Sequence, residues 1–471
     1  MRRLIFCFDG TWNRLDAPYP TNVVLLAEGI TPIARDGTPQ IIHYDPGVGT
    51  GHDDKWKGGL FGDGLIDKIV DAYTFLIFNY EVGDEIFVFG FSRGAFTARA
   101  FVGFIRQVGI IQRKSAAAIT EAVELYKKRQ PGDGQDREEL LQFRSRVSPE
   151  ICIDTVEDTW RVEHCEGYKT GNATVVRIKY LGVWDTVAAV GVPSDIFFAP
   201  FANRGERYFD AELSHLVVSA RHAVSIDEDR VTFTPTLWPN IAELNSSLGF
   251  ANSTGIAPYQ QKWFPGDHGS VGGGGDIRGL SDRALSWILD GALAMGLEVD
   301  LDEGSPLFGL APDDLAPLKN MRPAQPTLLE QAEHLLLTHH PREHGPTSLQ
   351  ELSDSAINRW RQSADALPEK ALYRPKPLEG VAGLLEQLAS DQPLPAPTAA
   401  HATVTAPNPT AGCLYKIVFG DQLRKIAEKV YGQADREDII VKANPAITDP
   451  NRIYIGQIIF LPKDSATPST E

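Results

Sequence analysis

The stretch of the sequence with the clearest chemical content is the pentapeptide GFSRG at residues 90–94. It follows the apolar, strand-like run 85–89 and precedes residues 95–102, which have helical character. In that context a GxSxG pattern forms a nucleophile elbow, because the two glycines permit a cramped backbone that a Cβ atom would obstruct. The sequence therefore predicts Ser92 as a nucleophile, and it predicts the amide of Arg93, at a helix start, as an oxyanion donor.

A serine nucleophile needs a base that accepts its proton and an acid that holds the base in the right tautomer. Asp185 follows the strand-like run 173–183, and His268 lies in the glycine-rich loop 265–275 after another apolar run. The order serine, aspartate, histidine is the chain order of α/β-hydrolases. We therefore predict Asp185 as the acid and His268 as the base of a triad with Ser92.

The turn at residues 9–13 is a second candidate part of the site. It follows the first strand-like run, 4–8, and ligand-binding loops of open α/β sheets lie at the carboxyl ends of strands. The backbone amides of Gly10 and Thr11 are candidates for the second half of an oxyanion hole. Alternatively, Asp9 only caps and tightens the loop, and the sequence leaves both interpretations open.

Other residues compete with these assignments. His222, near an acidic run, is favoured as a structural residue that would at most line the site, and His43 precedes a turn. Asp267, beside the proposed base, is an alternative acid, although neighbouring side chains in an extended loop diverge. The acidic run 227–229 lacks the alternating spacing of a calcium loop and is interpreted as a solvated turn. The glycine run 272–275 lacks the Lys-Ser or Lys-Thr of a phosphate-binding loop, so nucleotide binding is disfavoured. We expect no metal at the site and no cofactor.

Length and composition narrow the function classes. A chain of 471 residues exceeds the range of about 50 to 250 for one domain, so one enlarged domain or two domains are expected. The 45 basic and 62 acidic side chains give a net charge of −17, which argues against a nucleic acid partner. Four scattered cysteines without a CxxC pair indicate neither a disulfide framework nor a zinc site. No apolar run approaches the roughly 18 to 20 residues of a membrane span, so we do not expect an integral membrane protein.

The pattern of elements predicts the α/β fold class, with an α/β-hydrolase-like, mostly parallel sheet and helical insertions in a domain of residues 1–390. Residues 113–172 predict a mostly helical insertion, with a solvated surface excursion as the alternative. Residues 301–390 predict a helical, proline-broken tail without identifiable chemistry. An amphipathic helix is predicted where apolar residues recur at helical spacing, at Leu213, Leu216, Val217 and Ala220.

The end of the chain predicts a linker and a small second domain. Residues 391–412 are dense in Pro, Ala and Thr, which is typical of a flexible linker. Residues 413–465 then show a βααβ pattern that resembles a LysM module. Such modules bind glycans that contain N-acetylglucosamine, such as peptidoglycan. The helix ending at 429–432 resembles variants from phage tails and intracellular bacterial proteins, so wall binding and a docking or stability role both stay open.

Several blocks in the right order resemble the type VI secretion phospholipase effectors, which are Tle-like α/β-hydrolases. The blocks are FDGTWN at 8–13, TNV at 21–23, GFSRGA at 90–95, GVWDTV at 182–187, IDE at 226–228 and LSD at 280–282. With Trp360 and YRP at 373–375, the resemblance spans about residues 1–380. It implies a serine esterase that removes acyl chains from glycerophospholipids, with Ser92, Asp185 and His268 in the catalytic positions.

The expected function is therefore that of a phospholipase A-type ester hydrolase acting as an antibacterial effector. We expect it to be made in the bacterial cytoplasm without a signal peptide and secreted to the periplasm or membrane of a target cell. Expected partners are the phospholipid substrate, an immunity protein, and peptidoglycan or the secretion apparatus through the LysM module. The alternatives are a non-enzymatic adaptor or delivery protein with a decayed hydrolase fold, and an esterase that acts on cell-wall-linked esters.

Overall fold

The structure, a computed structural model, describes residues 1–10, 17–47, 63–128, 137–187, 211–230, 233–250, 257–302, 304–320, 340–391, 413–416, 422–431, 433–444 and 458–462. The strands in these ranges are β1 (Arg3–Phe8), β2 (Gln40–Asp45), β3 (Glu85–Phe91), β4 (Ile151–Cys152), β5 (Thr174–Val175), β6 (Ile178–Trp184), β7 (Ala220–Ser225), β8 (Tyr259–Phe264), β9 (Cys413–Lys416) and β10 (Ile458–Leu461).

The α-helices are α1 (Asn22–Gly29), α2 (Asp63–Asn79), α3 (Arg93–Val108), α4 (Ile119–Lys127), α5 (Glu138–Val147), α6 (Thr155–His164), α7 (Ile241–Ser247), α8 (His268–Gly272), α9 (Gly279–Ala294), α10 (Asp354–Trp360), α11 (Ala382–Asp391), α12 (Leu423–Tyr431) and α13 (Glu437–Ala443). Short 3₁₀ helices lie at Arg113–Ala118, Leu349–Glu351, Ala364–Ala366, Lys376–Val381 and Ala434–Arg436. None of the helices in the described ranges is both long enough and apolar enough to cross a bilayer. The chain forms two compact units, Met1–Leu388 and Ala389–Glu471.

Six strands of the first unit form one parallel sheet in the order β2-β1-β3-β6-β7-β8. All six residues of β1 are buried, as expected for a strand of a parallel sheet that is covered on both faces. The mostly parallel α/β sheet predicted from the sequence is thus confirmed. Because these strands run in one direction, the loops that follow them meet at one rim of the sheet.

Helices cover both faces of this sheet. On one face Phe6 of β1 packs against Phe101 of α3, with ring centroids 4.7 Å apart. On the other face a Cβ atom at Gly182 would lie 2.6 Å from Ile288 of α9 and 2.9 Å from Phe89. The glycine therefore allows α9 to approach β6 closely, which fixes the helix that follows the His268 loop.

The predicted amphipathic helix over residues 213–220 is wrong. Leu216 and Val217 are buried, as their spacing suggested, but the backbone here bonds to the sheet. The Ile178 amide donates to the Leu216 carbonyl at 2.9 Å, and the Val218 amide donates to the Ile178 carbonyl at 2.8 Å. Ala220 then begins β7, so tertiary pairing overrides the helical spacing of the apolar side chains.

The described part of residues 113–172 is mostly helical, with α4, α5, α6 and the short strand β4. The predicted strand 173–183 is divided, because β5 pairs with β4 and only β6 joins the main sheet. A buried ion-pair group anchors the segment: Glu157 accepts from Arg144 at 2.8 Å and from Arg161 at 2.6 Å. Buried charges of this kind are stable only when each one is paired.

In the second unit, β9 pairs antiparallel with β10, and α12 and α13 lie between them in the sequence. The described buried apolar residues of this unit are Leu423, Ile426, Ala427, Val430, Ile440, Ile459 and Leu461. The order of elements agrees with the predicted βααβ pattern. The assignment to LysM modules stays a prediction.

Candidate active site

Ser92 lies in the turn between β3 and α3, with φ at +58° in the left-handed region, which is uncommon for residues other than glycine. The positions on either side of this turn must be glycine, because there is no room for a Cβ atom. A Cβ atom at Gly90 would lie 2.6 Å from the carbonyl oxygen of Gly94, and one at Gly94 would lie 2.2 Å from the carbonyl oxygen of Phe8. The Ser92 amide donates to the Trp184 carbonyl at 3.0 Å, so the turn is also tied to β6.

The three residues predicted as a triad meet at the carboxyl rim of the sheet. His268 Nε2 lies 2.7 Å from Ser92 Oγ, and His268 Nδ1 lies 2.6 Å from Asp185 Oδ2. An ionised carboxylate only accepts hydrogen bonds, so Nδ1 carries the imidazole proton and Nε2 accepts from the Ser92 hydroxyl. All three side chains are buried. A hydroxyl held in this way is activated for attack on a carbonyl carbon.

Asp185 directly follows β6, and its carboxylate accepts several hydrogen bonds. The Ser225 amide donates to Oδ1 at 2.9 Å, and the Ser225 hydroxyl donates to Oδ2 at 3.1 Å. Two nitrogens of the Arg342 guanidinium donate to the two carboxylate oxygens, each at 2.9 Å. Burial raises the pKa of Asp185, but the Arg342 charge and the His268 hydrogen bond more than offset it, so the net pKa is well below its ordinary value. Asp185 is therefore ionised at neutral pH.

His268 is the first residue of α8, and both its backbone and its ring are held. The Asp267 side chain caps this helix by accepting a backbone amide, so it is Asp185, and not Asp267, that contacts the imidazole. The Glu228 carboxylate accepts the His268 amide at 3.1 Å. The ring centroids of Phe91 and Phe233 lie 4.6 and 4.7 Å from that of the imidazole. These contacts hold the imidazole so that Nε2 is directed towards Ser92 Oγ.

The residues predicted as oxyanion donors are placed differently from one another. Arg93 is the first residue of α3, where the backbone amides without a partner in the helix form the positive end of the helix dipole. The Gly10 amide donates to the Asp9 carboxylate at 2.7 Å, so it is engaged in this structure. Asp9 also accepts hydrogen bonds from the hydroxyl groups of Thr21 and Tyr44, at 2.7 and 2.9 Å, which tie the end of β1 to these two residues. Thr11 lies outside the described residues.

The competing histidines do not contact Ser92. His222 lies on β7, where its Nδ1 donates to Gln261 Oε1 at 2.9 Å and its Nε2 accepts the Thr186 amide at 3.1 Å. Burial, and then the charge of Arg99, lower the pKa of His222 to about 3, so it stays neutral. His43 on β2 packs against aromatic rings of the core. Of these histidines, the structure places only His268 within hydrogen-bond distance of Ser92.

The acidic run 227–229 is not the solvated turn that the sequence suggested. Glu228 is buried and pairs with the Arg230 guanidinium at 2.7 Å, and Asp227 accepts the Tyr373 hydroxyl at 2.8 Å. These carboxylates therefore have separate partners. Across the described ranges, no group of three or more His, Cys, Asp or Glu side chains is arranged to hold a metal ion.

Arg342, which bonds to Asp185 of the proposed triad, was not predicted from the sequence. It is 157 residues from Asp185 in the chain and lies in the tail for which no chemistry was identified. A lone arginine in a proline-broken segment carries no motif. Only the fold brings it to the acid.

Comparisons with known proteins identify relatives that span part of this chain. The uncharacterized protein YEL023C of Saccharomyces cerevisiae is 30% identical over 275 residues, which are 53% of this chain and 35% of the yeast protein. The potassium binding protein Kbp of Escherichia coli is 38% identical over 61 residues, which are 13% of this chain and 41% of that protein. The chain therefore spans about a third of the length of the yeast relative.

Two solved structures show a distant likeness. One is a Tle1 effector bound to the VgrG spike of the type 6 secretion system, with a TM-score of 0.30 and 18% identity over 58% of this chain and 50% of that one. The other is an uncharacterized protein from Pseudomonas aeruginosa, with a TM-score of 0.34 and 16% identity over 97% of this chain and 64% of that one. TM-scores this low carry no structural argument.

The strongest comparison is with a family model. The model described as "T6SS, Phospholipase effector Tle1-like, catalytic domain" matches residues 2–291, a range that includes Ser92, Asp185 and His268 and ends before the tail. It covers more than half of the chain and confirms the resemblance read from the sequence blocks. The protein thus belongs to the type VI secretion phospholipase effectors with a Tle1-like catalytic domain.

Proposed function

We propose that this protein is a serine carboxylic-ester hydrolase with Ser92 as nucleophile, His268 as base and Asp185 as the acid that orients the base. The observation that carries the proposal is the pair of contacts at the rim of the sheet. Ser92 Oγ lies 2.7 Å from His268 Nε2, and His268 Nδ1 lies 2.6 Å from Asp185 Oδ2. Both distances are within the reach that proton transfer requires.

The reaction follows from this geometry. Ser92 Oγ bonds to the ester carbonyl carbon while the hydroxyl proton passes to His268 Nε2, and Asp185 stabilises the imidazolium. The bond to the alcohol then breaks, and the alcohol leaves with the proton from Nε2. A water molecule, deprotonated by the same nitrogen, attacks the acyl-serine. This step releases the carboxylic acid and restores the Ser92 hydroxyl.

The negative charge that develops on the carbonyl oxygen needs donors. We assign the Arg93 amide, at the N-terminus of α3, to this role, together with the amides of Gly10 and Thr11. The Gly10 amide would have to exchange its bond to the Asp9 carboxylate for the substrate oxygen.

Membership of the phospholipase effectors supports a glycerophospholipid as substrate and an acyl ester as the bond that is cut. The proposed role is that of an antibacterial effector, which the secretion apparatus delivers to the periplasm or membrane of a target cell. An immunity protein in the producing cell would bind it. No cofactor enters this chemistry as proposed, because the Ser92 hydroxyl and the His268 imidazole exchange the protons while the Asp185 carboxylate holds the imidazole.

The second unit is proposed to be a LysM domain of residues 413–465, joined by a linker of residues 391–412 to the hydrolase domain of residues 1–390. The antiparallel pairing of β9 with β10 around two helices in the chain supports this assignment. Such a domain would hold the enzyme on peptidoglycan or dock it to the secretion apparatus. In either role it changes where the enzyme acts and leaves the chemistry to the first unit.

The test uses purified full-length protein with vesicles of phosphatidylethanolamine and phosphatidylglycerol, and separately with O-acetylated peptidoglycan. We expect lysophospholipid and free fatty acid from the vesicles, with turnover by Ser92→Ala lower by about 10⁶-fold, as for other serine nucleophiles. Release of acetate from peptidoglycan, without release of fatty acid from the vesicles, would indicate a cell-wall esterase and not a phospholipase. If folded wild type released neither product, the adaptor alternative would take the place of the enzyme.

A further inference from the structure

Arg342 links the tail of the first unit to the proposed triad. It lies beyond the family-matched range 2–291, and only 7% of its surface is exposed. Its Nη1 and Nη2 atoms donate to Asp185 Oδ1 and Oδ2, each at 2.9 Å, in the forked geometry of a strong arginine–carboxylate pair. The same nitrogens donate to the carbonyl oxygens of Ser225 and Phe233. The guanidinium is therefore fixed by the acid and by the backbone around it.

The forked pair restricts rotation of the Asp185 carboxylate. The other donors are the Ser225 amide and hydroxyl and His268 Nδ1, and two of these three share Oδ2. Arg342 bonds to both oxygens and so sets the plane of the carboxylate. The χ2 torsion of an aspartate is itself broad, so its hydrogen-bond partners set the plane, and Arg342 is the one side chain here that bonds both oxygens. Loss of the guanidinium would loosen the bond that holds the imidazole in its tautomer.

The guanidinium also sets the charge of the acid. Asp185 is fully buried, and burial raises the pKa of its carboxyl group; Arg342 supplies the largest of the effects that lower the pKa. His268 also lowers it, through its hydrogen bond and its charge. A neutral carboxyl group would neither hold Nδ1–H nor stabilise an imidazolium. The pairing with Arg342 therefore favours the ionised form of the acid.

We infer that Arg342 is a positioning residue for ester hydrolysis, because it holds Asp185 in the orientation that keeps His268 Nε2 directed at Ser92. This inference rests on the proposed serine esterase. It makes the tail part of the hydrolytic unit, although the family-matched residues end before it. An arginine that only anchors the tail would affect stability and leave the turnover number unchanged.

The test compares Arg342→Ala and Arg342→Lys with Arg359→Ala in the full-length chain. Arg359 is a matched control, because it is also a fully buried tail arginine whose partners include the Ala316 carbonyl, at 2.7 Å, and the Glu369 carboxylate, at 2.6 Å. Circular dichroism and thermal melts check folding. Values of kcat and KM are measured with p-nitrophenyl butyrate, with and without added guanidinium ion.

We expect Arg342→Ala to lower kcat by about 10² to 10⁴-fold with little change in KM; the upper figure is the effect of disabling the orienting acid in a known triad. Guanidinium ion should restore part of this loss by filling the vacated space beside Asp185. Arg342→Lys keeps the charge without the fork, so its kcat should lie between those of wild type and Arg342→Ala. Arg359→Ala should keep kcat near wild type and show no response to guanidinium.

Either of two results would overturn the inference. One is a folded Arg342→Ala or Arg342→Lys protein with the kcat of wild type. The other is an equal loss of kcat in Arg342→Ala and Arg359→Ala that guanidinium does not restore. If Arg342→Ala does not fold, Arg342→Lys decides the outcome. A folded wild type without Ser92-dependent ester hydrolysis would refute the proposed function and the inference together, whereas active wild type with insensitive Arg342 variants refutes the inference alone.

Discussion

At the scale of single residues, two aspartates near the proposed base have pKa values shifted in opposite directions. Asp185 faces the charge of Arg342, and its pKa lies well below the ordinary value. Asp227 accepts from the Gly266 amide at 2.7 Å and the Tyr373 hydroxyl at 2.8 Å, which are neutral donors. Burial therefore dominates and raises the pKa of Asp227 to about 6. The kind of partner decides which carboxyl group is ionised.

The raised pKa of Asp227 predicts a pH-dependent stability. Since its folded-state pKa of about 6 exceeds the ordinary value of 3.8, the carboxyl group contributes fully to stability only at low pH. That contribution is lost as the pH rises through 6. Asparagine cannot ionise, so Asp227→Asn does not lose this contribution. As the pH rises from 4 to 7, the free energy of unfolding of Asp227→Asn should increase relative to that of wild type by up to about 3 kcal/mol. Urea unfolding at a series of pH values measures the difference.

Asp36→Asn is the control for this prediction, because the Thr38 hydrogen bonds lower the pKa of the exposed Asp36. A carboxyl group with a lowered pKa contributes to the free energy of unfolding at every pH above its ordinary pKa. That contribution is lost only as the pH falls below this value. The difference between Asp36→Asn and wild type should therefore stay flat above about pH 5. Parallel curves for Asp227→Asn and wild type would contradict the assignment.

At this scale the sequence predicted the residues that a local pattern marks. Ser92 stands in a GxSxG elbow, and Asp185 and His268 follow strands in the chain order of hydrolases. The contact of Arg342 with Asp185 left no local trace, because it joins residues 157 positions apart. The partners of Glu228 were also hidden, since burial and pairing depend on how distant loops fold together.

At the scale of elements, the glycines on either side of Ser92 allow the backbone turn that positions its side chain. A Cβ atom at Gly94 would meet the Phe8 carbonyl oxygen at 2.2 Å, and backbone atoms cannot move aside as a flexible side chain can. We predict that Gly94→Ala displaces Ser92 and destabilises the protein by about 3 kcal/mol or more, with a loss of ester hydrolysis. Thermal melts and kcat measurements check both effects.

Gly103→Ala is the matched control in the same helix. The nearest atom to a Cβ at Gly103, the Tyr126 hydroxyl oxygen, is 3.9 Å away, which is an ordinary contact. Alanine favours helix over glycine by about 1 kcal/mol, so Gly103→Ala should be as stable as wild type or more stable, with unchanged activity. Equal stability of Gly94→Ala and Gly103→Ala would show that the elbow does not need its glycine.

The elements themselves were predictable where burial is strong and continuous. Parallel strands such as β1 and β3 are buried almost throughout, so they stand out as apolar runs between turns. The segment 213–220 was assigned wrongly, because apolar residues at helical spacing here bury themselves through turns and bridges to the sheet. The spacing of apolar residues in a sequence indicates which side chains are buried, but it does not indicate which backbone groups form hydrogen bonds with each other.

At the scale of the whole molecule, the two compact units predict a separable enzyme. A chain that ends at Ser390 keeps the proposed triad and Arg342, so it should fold and hydrolyse a soluble short-chain ester at close to the full-length rate. Retention on peptidoglycan should fall if the second unit binds it, because tethering changes local concentration and not the chemistry. Steady-state kinetics and a pull-down with peptidoglycan measure the two properties.

A chain that ends at residue 320 is the control for this truncation. It keeps all the family-matched residues, 2–291, but removes Arg342 and the apolar tail residues that pack on Val224, Ile226 and Trp263, so it should lose both stability and most of the activity. Loss of soluble-ester hydrolysis in a well-folded chain ending at Ser390 would contradict the two-unit account and place the second unit at the active site.

Covalent labelling of the full-length protein by a fluorophosphonate probe reports directly on whether Ser92 is an activated nucleophile. Peptide mass spectrometry should find the label on Ser92 in wild type and no label in Ser92→Ala. The labelling rate should fall by several orders of magnitude in His268→Ala, and His222→Gln should be labelled at a rate near that of wild type. A folded wild type that stays unlabelled, or that is labelled at another serine, would contradict the account; so would a rate that depends on His222 and not on His268.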